Sequence, residues 1–470
     1  MPVNSTHPLY QAAVDGWRRN RDAVKGQAAI KAGGELYLPK PNAEDESAAN
    51  TARYERYLER ALWYAAPERT KASLIGSVFR KGPEKQELVP QIEYLLEDAD
   101  GTGTSLEQVC KEVVGEQLEA GRIGVLVDYP ASEPGASAED VERSGARAMF
   151  ATYAAENILN WRVAKVGNRH RLVMVVLQEF AEDGDDEFAK EVVKQYRVLR
   201  LSEGRYTQTV YDESFDLVGS VIEPKKSDGT AWGEIPFVII GSETNRADVD
   251  AAPLTHLCNH AIAYWQTSAD HRENLFVHGQ LTLGISSDLS VEDWQAANPN
   301  GVKVGAPTGV FLGPAGSFHT ASAPESTSLS KALQDLREEM AELGAQIIRK
   351  SGQAETAEAA RIEASAESSV LSNVVGNASE GIEQCLEWAA LFMGGDPVKV
   401  LFELNTEFFD ETLDPQTRTV MLNELDRGII SKRDYRRALR KADFIDADRT
   451  DEEIDEDVAD QGPALGAIGA

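Results

Sequence analysis

The chain has 470 residues, of which 42% are hydrophobic, so it has the composition of a folded protein with more than one hydrophobic core. Its formal net charge of −31 argues against a broad surface that binds nucleic acid tightly. A surface along which DNA slides, however, would also be acidic. No apolar run approaches the roughly 20 residues that a membrane helix needs, and the polar start lacks the apolar segment of a signal peptide. A cytosolic protein without a membrane partner is therefore expected.

The first 120 residues predict helices. A helix that carries Val14 and Trp17 should place Arg18, Arg19 and Arg21 on its outer side, as a solvated face, a subunit contact or a nucleic-acid contact. Further helices are predicted at about 51–65 and 68–78. Another should run through Val113 and Leu118 and close at Gly121.

The segment 98–105 looks at first like a calcium loop, with acids at its first and third positions and Gly at its sixth. The pattern then fails, because Leu106 and Val109 stand at its ninth and twelfth positions. A capping box for the following helix, with Thr104 or Ser105 as the cap, explains the segment better.

The next part of the chain predicts strands. Residues 122–130 are too apolar for a strand with a wet face, so this strand should be central in a sheet. Strands of a meander are predicted at 161–163, 170–177, 193–201 and 206–211, with 183–186 as one turn, and a last strand at 235–240. The first 240 residues are thus predicted to be α+β, with helices first and strands later.

A long helix is predicted from Pro253 to about His278. His256 and His260 are four residues apart and so share a helix face, as zinc ligands do, but no HExxH motif completes a site. Cys258 should point away from both. The three cysteines, Cys110, Cys258 and Cys385, are far apart among apolar residues, which predicts buried free thiols.

A small turn-rich β module is predicted at 279–323, with β-like stretches at 281–285, 302–304 and 310–312. It interrupts the helix before it and an amphipathic helix at 327–350, so it should lie at the tip of a helical hairpin. A second amphipathic helix is predicted at 363–393. The link between these two helices should form a projecting loop.

The last part of the chain is polar. A short strand is predicted at 398–402 and helices at 415–427 and 432–442. From 443 to 460 there are ten acids and one base, Arg449, so this segment is expected to be an acidic tail.

Motifs of common enzymes are missing. The chain has no GxxxxGK[ST] loop, no GxGxxG after a strand, no GxSxG elbow and no paired CxxC. The sequence therefore gives no argument for an enzyme, a cofactor or a resident metal.

The order of elements, together with a series of short strings, resembles the portal proteins of tailed bacteriophages, in the portal-like branch catalogued as a domain of unknown function. The likeness extends to about residue 445. The strings are His7-Pro8-x-Tyr10, Trp17 with Arg21-Asp22, Tyr37-Leu38-Pro39, Asp100-Gly101-Thr102-Gly103-x-Ser105-Leu106, Gly121-Arg122-x-Gly124-x-Leu126-Val127-Asp128-Tyr129-Pro130, Asn157-Ile158 before Trp161, Ile235-Pro236-Phe237, and Glu355-Thr356-Ala357 with Arg361.

The resemblance implies a portal-like α+β fold with named parts. These would be a wing at 1–252, a first stem helix at 253–278, a clip at 279–323, a second stem helix at 324–349, a tunnel loop at 350–362, a long wing helix at 363–395, and a crown with the acidic tail at 396–470.

It also implies a function in the virion. Twelve copies would form a ring at one capsid vertex, after assembly in the host cytoplasm, and double-stranded DNA would pass through its channel during packaging and ejection. Implied partners are the terminase large subunit, the head-tail adaptor, and the major capsid and scaffolding proteins.

The expected contact residues follow from the same resemblance. Tunnel-loop candidates for DNA are Lys350, Gln353, Glu355 and Arg361, and clip candidates for the terminase or adaptor are Trp294, Lys303 and Phe311. Lys350 and Arg361 would centre the duplex by weak phosphate contacts, or they would simply be solvated residues at helix ends.

Two alternatives stay open at this point. One is another virion connector or minor capsid protein built on similar helices, which oligomer order and a central channel would distinguish. The other is a metal-dependent hydrolase that uses His256, His260 and a carboxylate, which stoichiometric metal content would reveal.

Overall fold

The computed structural model describes residues 2–129, 146–183, 191–279, 282–299, 310–321, 327–348, 369–408, 415–441, 444–445 and 449–460. The chain divides into two compact units, Met1–Leu404 and Asn405–Ala470. Helices and antiparallel strands share the first unit, which confirms the α+β class. The predicted turn at 183–186 lies mostly outside the described residues.

The described helices of the first unit are α1 (Pro8–Lys25), α2 (Gln27–Ala32), α3 (Ala48–Arg60), α4 (Ala66–Val78), α5 (Leu106–Ala120), α6 (Thr255–Gly279), α7 (Val291–Ala297), α8 (Thr327–Ile348) and α9 (Val370–Met393). The second unit has α10 (Pro415–Asp426), α11 (Lys432–Lys441) and α12 (Asp451–Asp460). These bounds agree within a few residues with most of the sequence predictions. The start predicted for the second long helix, at 363, lies outside the described residues.

The described strands are β1 (Lys85–Glu87), β2 (Arg122–Asp128), β3 (Met149–Ala154), β4 (Ile158–Val166), β5 (Arg169–Asp183), β6 (Glu191–Ser202), β7 (Arg205–Tyr211), β8 (Leu217–Ile222), β9 (Phe237–Gly241), β10 (Thr282–Ser286), β11 (Ser317–Ala321) and β12 (Leu401–Glu403).

Strand β2 is the centre of a three-stranded antiparallel sheet with the order β3-β2-β9, as its apolar sequence predicts. Helices α5 and α9 cover it, and the side chains from Arg122 to Val127 are buried. The buried Gln117 side chain joins the layers, because its amide donates to the carbonyl oxygens of Gly241 at 2.7 Å and Val374 at 3.1 Å. The core of the unit therefore sits around β2.

The predicted meander is a five-stranded antiparallel sheet in sequential order, β4-β5-β6-β7-β8. Its alternation of buried and exposed residues is clearest at the end of β6, where Leu199 and Leu201 are buried and Arg200 and Ser202 are exposed. Within this sheet the sequence missed only the last strand, β8, whose residues are almost all exposed at the edge, and outside it the sequence missed β1 and β3. A half-buried residue pattern is the signal that identifies a strand, and β8 lacks it.

Helix α5 begins with the predicted capping box. The Ser105 hydroxyl accepts from the Gln108 amide, and the Gln108 side chain accepts from the Ser105 amide. In the preceding loop, Asp98 and Asp100 accept hydrogen bonds from the loop's own backbone amides. Burial raises the pKa of Asp100, but hydrogen bonds from Thr102 and Thr104 outweigh it and lower the pKa to about 2. These carboxylates are used to shape the loop.

The prediction that Arg21 lies on the outer side of α1 is wrong. Its guanidinium is largely buried and donates to Glu116 at 2.6 Å and to Glu156 at 2.5 Å, with Glu119 at 3.3 Å. Arg18, in contrast, is 66% exposed. Helix periodicity places Arg21 close to Arg18 in projection, but α5 and the turn before β4 pack against that end of α1 and supply the carboxylates.

The strand predicted at 398–402 is shorter than expected. Pro397–Lys399 forms a 3₁₀ turn capped by Asp396, and only Leu401–Glu403 pairs, antiparallel with β1. Proline at the first position favours the turn, because its fixed φ suits a helix start. The segment 396–404, placed with the crown by resemblance, lies within the first compact unit.

All three cysteines are buried free thiols, as predicted. Burial raises the pKa of Cys258 to about 12, and it raises the pKa of Cys110 and Cys385 as well. The thiols are therefore protonated at neutral pH and behave as small apolar side chains.

We expect Arg21→Ala to lower the free energy of unfolding by roughly 3 kcal/mol, since it leaves the largely buried carboxylates of Glu116 and Glu156 without this cation. Arg18→Ala on the same helix is the matched control and should change it by less than about 0.5 kcal/mol. Urea denaturation followed by tryptophan fluorescence measures both. Equal effects of the two substitutions would contradict a structural role for Arg21.

Candidate functional site

Helices α6 and α8 form a hairpin whose connection is a small module of β10, α7 and β11. The two strands pair antiparallel, with Thr282 opposite Ala321 and Ser286 opposite Ser317. This pairing reverses the chain, and the two helices pack along each other. The position predicted for the β module, at the turn of a helical hairpin, matches this arrangement.

The base of the hairpin is fixed to the helical body by polar contacts. The Tyr57 hydroxyl donates to Asp270 at 2.5 Å, and Arg60 pairs with Glu273. The Gln266 amide donates to the Tyr37 carbonyl at 2.8 Å, and the Ser268 hydroxyl is 2.9 Å from the Leu62 carbonyl. Contacts along α6 therefore hold the hairpin against the body.

Arg337 links the returning helix to the same body. Its guanidinium lies against the rings of Tyr64 and Tyr264, 5.4 and 5.3 Å from their centroids, and donates to the Tyr264 hydroxyl at 2.6 Å. Such cation–π contacts are stabilising when the cation is partly desolvated. An open cavity of about 420 Å³ adjoins Arg337, between α6 and α8.

The end of the hairpin is held by Asn298. Its side-chain amide donates to the Phe311 carbonyl at 2.8 Å, and its carbonyl accepts from the Phe311 amide at 2.9 Å. Residues 310–312, predicted to be β-like, therefore form no strand. Their backbone hydrogen bonds go to a side chain instead, and the second strand of the module is β11.

Two of the three clip candidates are described. Phe311 is 59% exposed, and Trp294 is partly exposed on α7, which Ser290 caps. Val291, on the same short helix, is 73% exposed. Large apolar side chains on a small module are typical of a surface that contacts another protein. Lys303 lies outside the described residues.

The tunnel-loop candidates Lys350, Gln353, Glu355 and Arg361 also lie outside the described residues. They fall between Ile348, the last residue of α8, and Ser369, which caps α9. Their contact with DNA stays a prediction from the resemblance.

The two helix histidines are not brought together with further ligands. The His260 Nδ1 atom is 2.9 Å from the His256 carbonyl oxygen, and its Nε2 atom is 3.6 Å from Glu339. Across the described ranges, no group of three or more His, Cys, Asp or Glu side chains is placed to hold a metal ion. Helices of membrane-spanning length and apolarity are likewise absent from those ranges.

Sequence reasoning missed Asn298 and Arg122. A lone asparagine before proline carries no signal that its amide will bind a backbone thirteen residues later. Arg122 is fully buried, with its guanidinium 4.3 Å from the Trp161 ring centroid, and burial lowers its pKa to about 10 despite Asp250 and Asp248. An arginine that opens an apolar strand is ordinarily expected at the surface.

Asn298→Ala should release Phe311 while leaving α7 in place. We expect amide exchange of the peptide around Phe311 to become roughly tenfold faster, since two hydrogen bonds are lost. Hydrogen–deuterium exchange by mass spectrometry measures it, with Gln295→Ala, an exposed change on α7, as control. Unchanged exchange in Asn298→Ala would show that the contact does not hold the module.

Comparisons with known proteins match the hairpin region. The family described as "Domain of unknown function (DUF4055)" matches residues 253–393, from the start of α6 to the end of α9. No curated protein matches the chain. The chain is similar to a chain of the neck of a native GTA particle with C12 symmetry, at 13% identity and a TM-score of 0.41, over 87% of this chain and 98% of that one.

Two further solved structures show the same kind of likeness. The virion of a native gene transfer agent (GTA) particle contains a chain that is 13% identical, with a TM-score of 0.38, over 87% of this chain and 98% of that one. The neck of an empty GTA particle with C6 symmetry contains one that is 14% identical, with a TM-score of 0.40, over 80% and 90%.

Proposed function

We propose that this chain is the portal subunit of a phage-like particle. As proposed, it performs no chemical reaction, and it forms a twelve-membered ring through which double-stranded DNA enters and leaves the capsid. The observation that carries the proposal is the hairpin α6–α8 with its small β module, set between an α+β body and the long helix α9. Most of the strings shared with portal proteins lie in that body, between residues 7 and 237, and one, Glu355-Thr356-Ala357 with Arg361, follows the hairpin.

The hairpin suits a ring because it offers two long lateral faces. A closed ring repeats one heterologous contact, so opposite flanks of each subunit must match. Near the end of α6, three consecutive apolar side chains are 42 to 52% exposed: Leu275, Phe276 and Val277. Burial of such residues against the next subunit would remove apolar surface from water and stabilise the ring.

The negative charge of α8 suits the wall of a channel along which DNA moves without being tightly bound. The helix exposes a row of carboxylates that no strong basic cluster balances: Asp335, Glu338, Glu339 and Glu342. Turned toward a duplex, they would repel phosphates. Lys350 and Arg361, in the segment between α8 and α9, would then supply weak contacts that centre the DNA.

The small module at the hairpin end is proposed to receive the terminase and later the adaptor. Its exposed Phe311 and Val291 and its partly exposed Trp294 provide an apolar centre, and aromatic side chains are enriched at such contacts. The capsid and scaffolding proteins would contact the body.

Negative-stain electron microscopy and light scattering of the purified chain test the ring. We expect particles with a central hole and a mass near twelve times 51.3 kDa. A ring of another closed order with a channel would favour another virion connector, and a monomer at every salt and protein concentration would contradict the proposal.

A packaging assay tests the proposed DNA contacts. Lys350→Glu with Arg361→Glu should lower the amount of packaged or retained DNA at least about tenfold and leave the ring mass unchanged, because added carboxylates repel the duplex. The control is Lys165→Glu with Arg169→Glu, an equal charge change at the exposed turn between β4 and β5. Normal packaging in the first variant would contradict the assignment of these two residues.

A further inference from the structure

Helix α11, in the second compact unit, is the most basic helix among the described elements. Its ten residues include one acid, Asp434, and six bases: Lys432, Arg433, Arg436, Arg437, Arg440 and Lys441. This concentration stands out in a chain with a net charge of −31. Clusters of this kind in short segments are typical of surfaces that bind phosphates.

Helix stability alone does not account for these bases. Lys432 and Arg433 lie in the first turn, where positive charge opposes the helix dipole. The single acid, Asp434, is used as a cap, because it accepts from the Ser431 amide at 3.1 Å and from the Ser431 hydroxyl at 2.6 Å. The Asp434 carboxylate therefore stabilises the start of the helix.

Helix α12 lies against one basic edge of α11. Arg440 pairs with Asp451 at 2.5 Å, and Arg436 pairs with Asp455. Both guanidiniums also donate to backbone carbonyls at the start of α12: Arg436 to Asp451, and Arg440 to Arg449. The acidic helix thus covers Arg436 and Arg440.

The other edge of α11 stays exposed. Arg433 and Arg437, four residues apart, are exposed on it, whereas the exposed Lys432 lies in the same row as Arg436 and Arg440, near Asp455. The helix therefore has an open basic edge beside a covered one, and removal of α12 would merge the two edges into a single surface.

The spacing of the covered pairs resembles that of a nucleic-acid backbone. Arg436 and Arg440 are four residues apart, as are Asp451 and Asp455, which corresponds to a rise of roughly 6 Å along each helix. Neighbouring phosphates of one DNA strand are separated by a similar through-space distance, about 7 Å, because each step combines a rise of about 3.4 Å with a rotation around the axis. Guanidinium groups bind phosphate in the same bidentate manner as carboxylate. The acidic helix therefore occupies the arginines as a phosphate row would.

The cover is weak enough to be displaced. The Asp455 side chain is 63% exposed, so its ion pair with Arg436 contributes little and is screened by salt, whereas Asp451, which is 26% exposed, is more sheltered. A duplex presents many phosphates and releases counterions when it binds, which carboxylates on a single helix do not match.

We infer that α11 is a binding surface for the phosphate backbone of double-stranded DNA, and that α12 covers it in the free protein by competing for Arg436 and Arg440. This surface lies in the second unit and does not depend on the ring proposed above. It would contact DNA without reading its sequence, because phosphate contacts carry no base information.

Fluorescence anisotropy with a labelled duplex of about 20 base pairs tests the inference on the full-length chain. Asp451→Asn with Asp455→Asn should tighten binding roughly five- to tenfold, because two competing ion pairs are lost. The control is Glu452→Gln with Glu456→Gln, an equal charge change one residue along the same helix, at exposed positions that do not contact Arg436 or Arg440. It should change affinity by less than about twofold.

The salt dependence adds a second measurement. Between about 50 and 200 mM salt, the logarithmic slope for Asp451→Asn with Asp455→Asn should be steeper than that of the unchanged chain by about 2, one for each released arginine. Adding Arg436→Gln and Arg440→Gln to that variant should remove both the gain and the extra slope. In the otherwise unchanged chain, Arg433→Gln with Arg437→Gln should weaken DNA binding and leave the ion pairs between α11 and α12 intact.

Several outcomes would overturn the inference. Equal gains in the two α12 variants would mean that net charge alone matters, and tight binding that survives loss of the α11 arginines would place the site elsewhere. Equal gains for the duplex and for polyglutamate would indicate an acidic-protein partner instead of DNA. Ring mass, measured on the same samples, reports separately on the proposed portal function.

Discussion

The burial of β2 is the constraint on which the first unit depends. This strand has apolar residues pointing to both faces, so neither face tolerates water. Strands β3 and β9 satisfy its backbone. Helices α5 and α9 pack against it and against each other, and its Arg122 side chain lies against Trp161 of β4. Because α9 follows the hairpin in sequence but packs beside β2, the hairpin must begin and end at the body. The projecting position of the β module follows from this closure.

Charge is distributed unevenly in this acidic chain. Two arginines are used inside the fold, Arg21 among carboxylates and Arg197 between Asp128 and Glu179, and the exposed Arg337 is held against two tyrosine rings. Their partners hold them in place, so they contribute packing instead of a basic surface. Exposed acids then dominate α8, and α11 is the exception. A protein that lets a polyanion pass, while it contacts that polyanion at a few points, would have this distribution.

Much of the fold was predictable because its signals are local. The cap of α5 depends on two residues three apart, the meander on alternation along each strand, and the hairpin helices on a repeat of three to four residues. The candidate site was predictable only in part. Phe311 is exposed and Trp294 is partly exposed on the expected module, but the support for Phe311 comes from Asn298, whose amide meets it only through the fold of the tip.

The sequence by itself determined the type and order of the elements, the burial of the cysteines and the absence of common enzyme motifs, because each depends on composition or short-range spacing. Tertiary structure decided which charges are buried and which are free. Arg21 and Arg18 are three residues apart and alike in sequence, yet only Arg21 meets carboxylates from α5. The acidic tail looks like a solvated run until α12 is seen beside α11. Ion pairs between distant segments depend on how the helices pack, so no local sequence pattern predicts them.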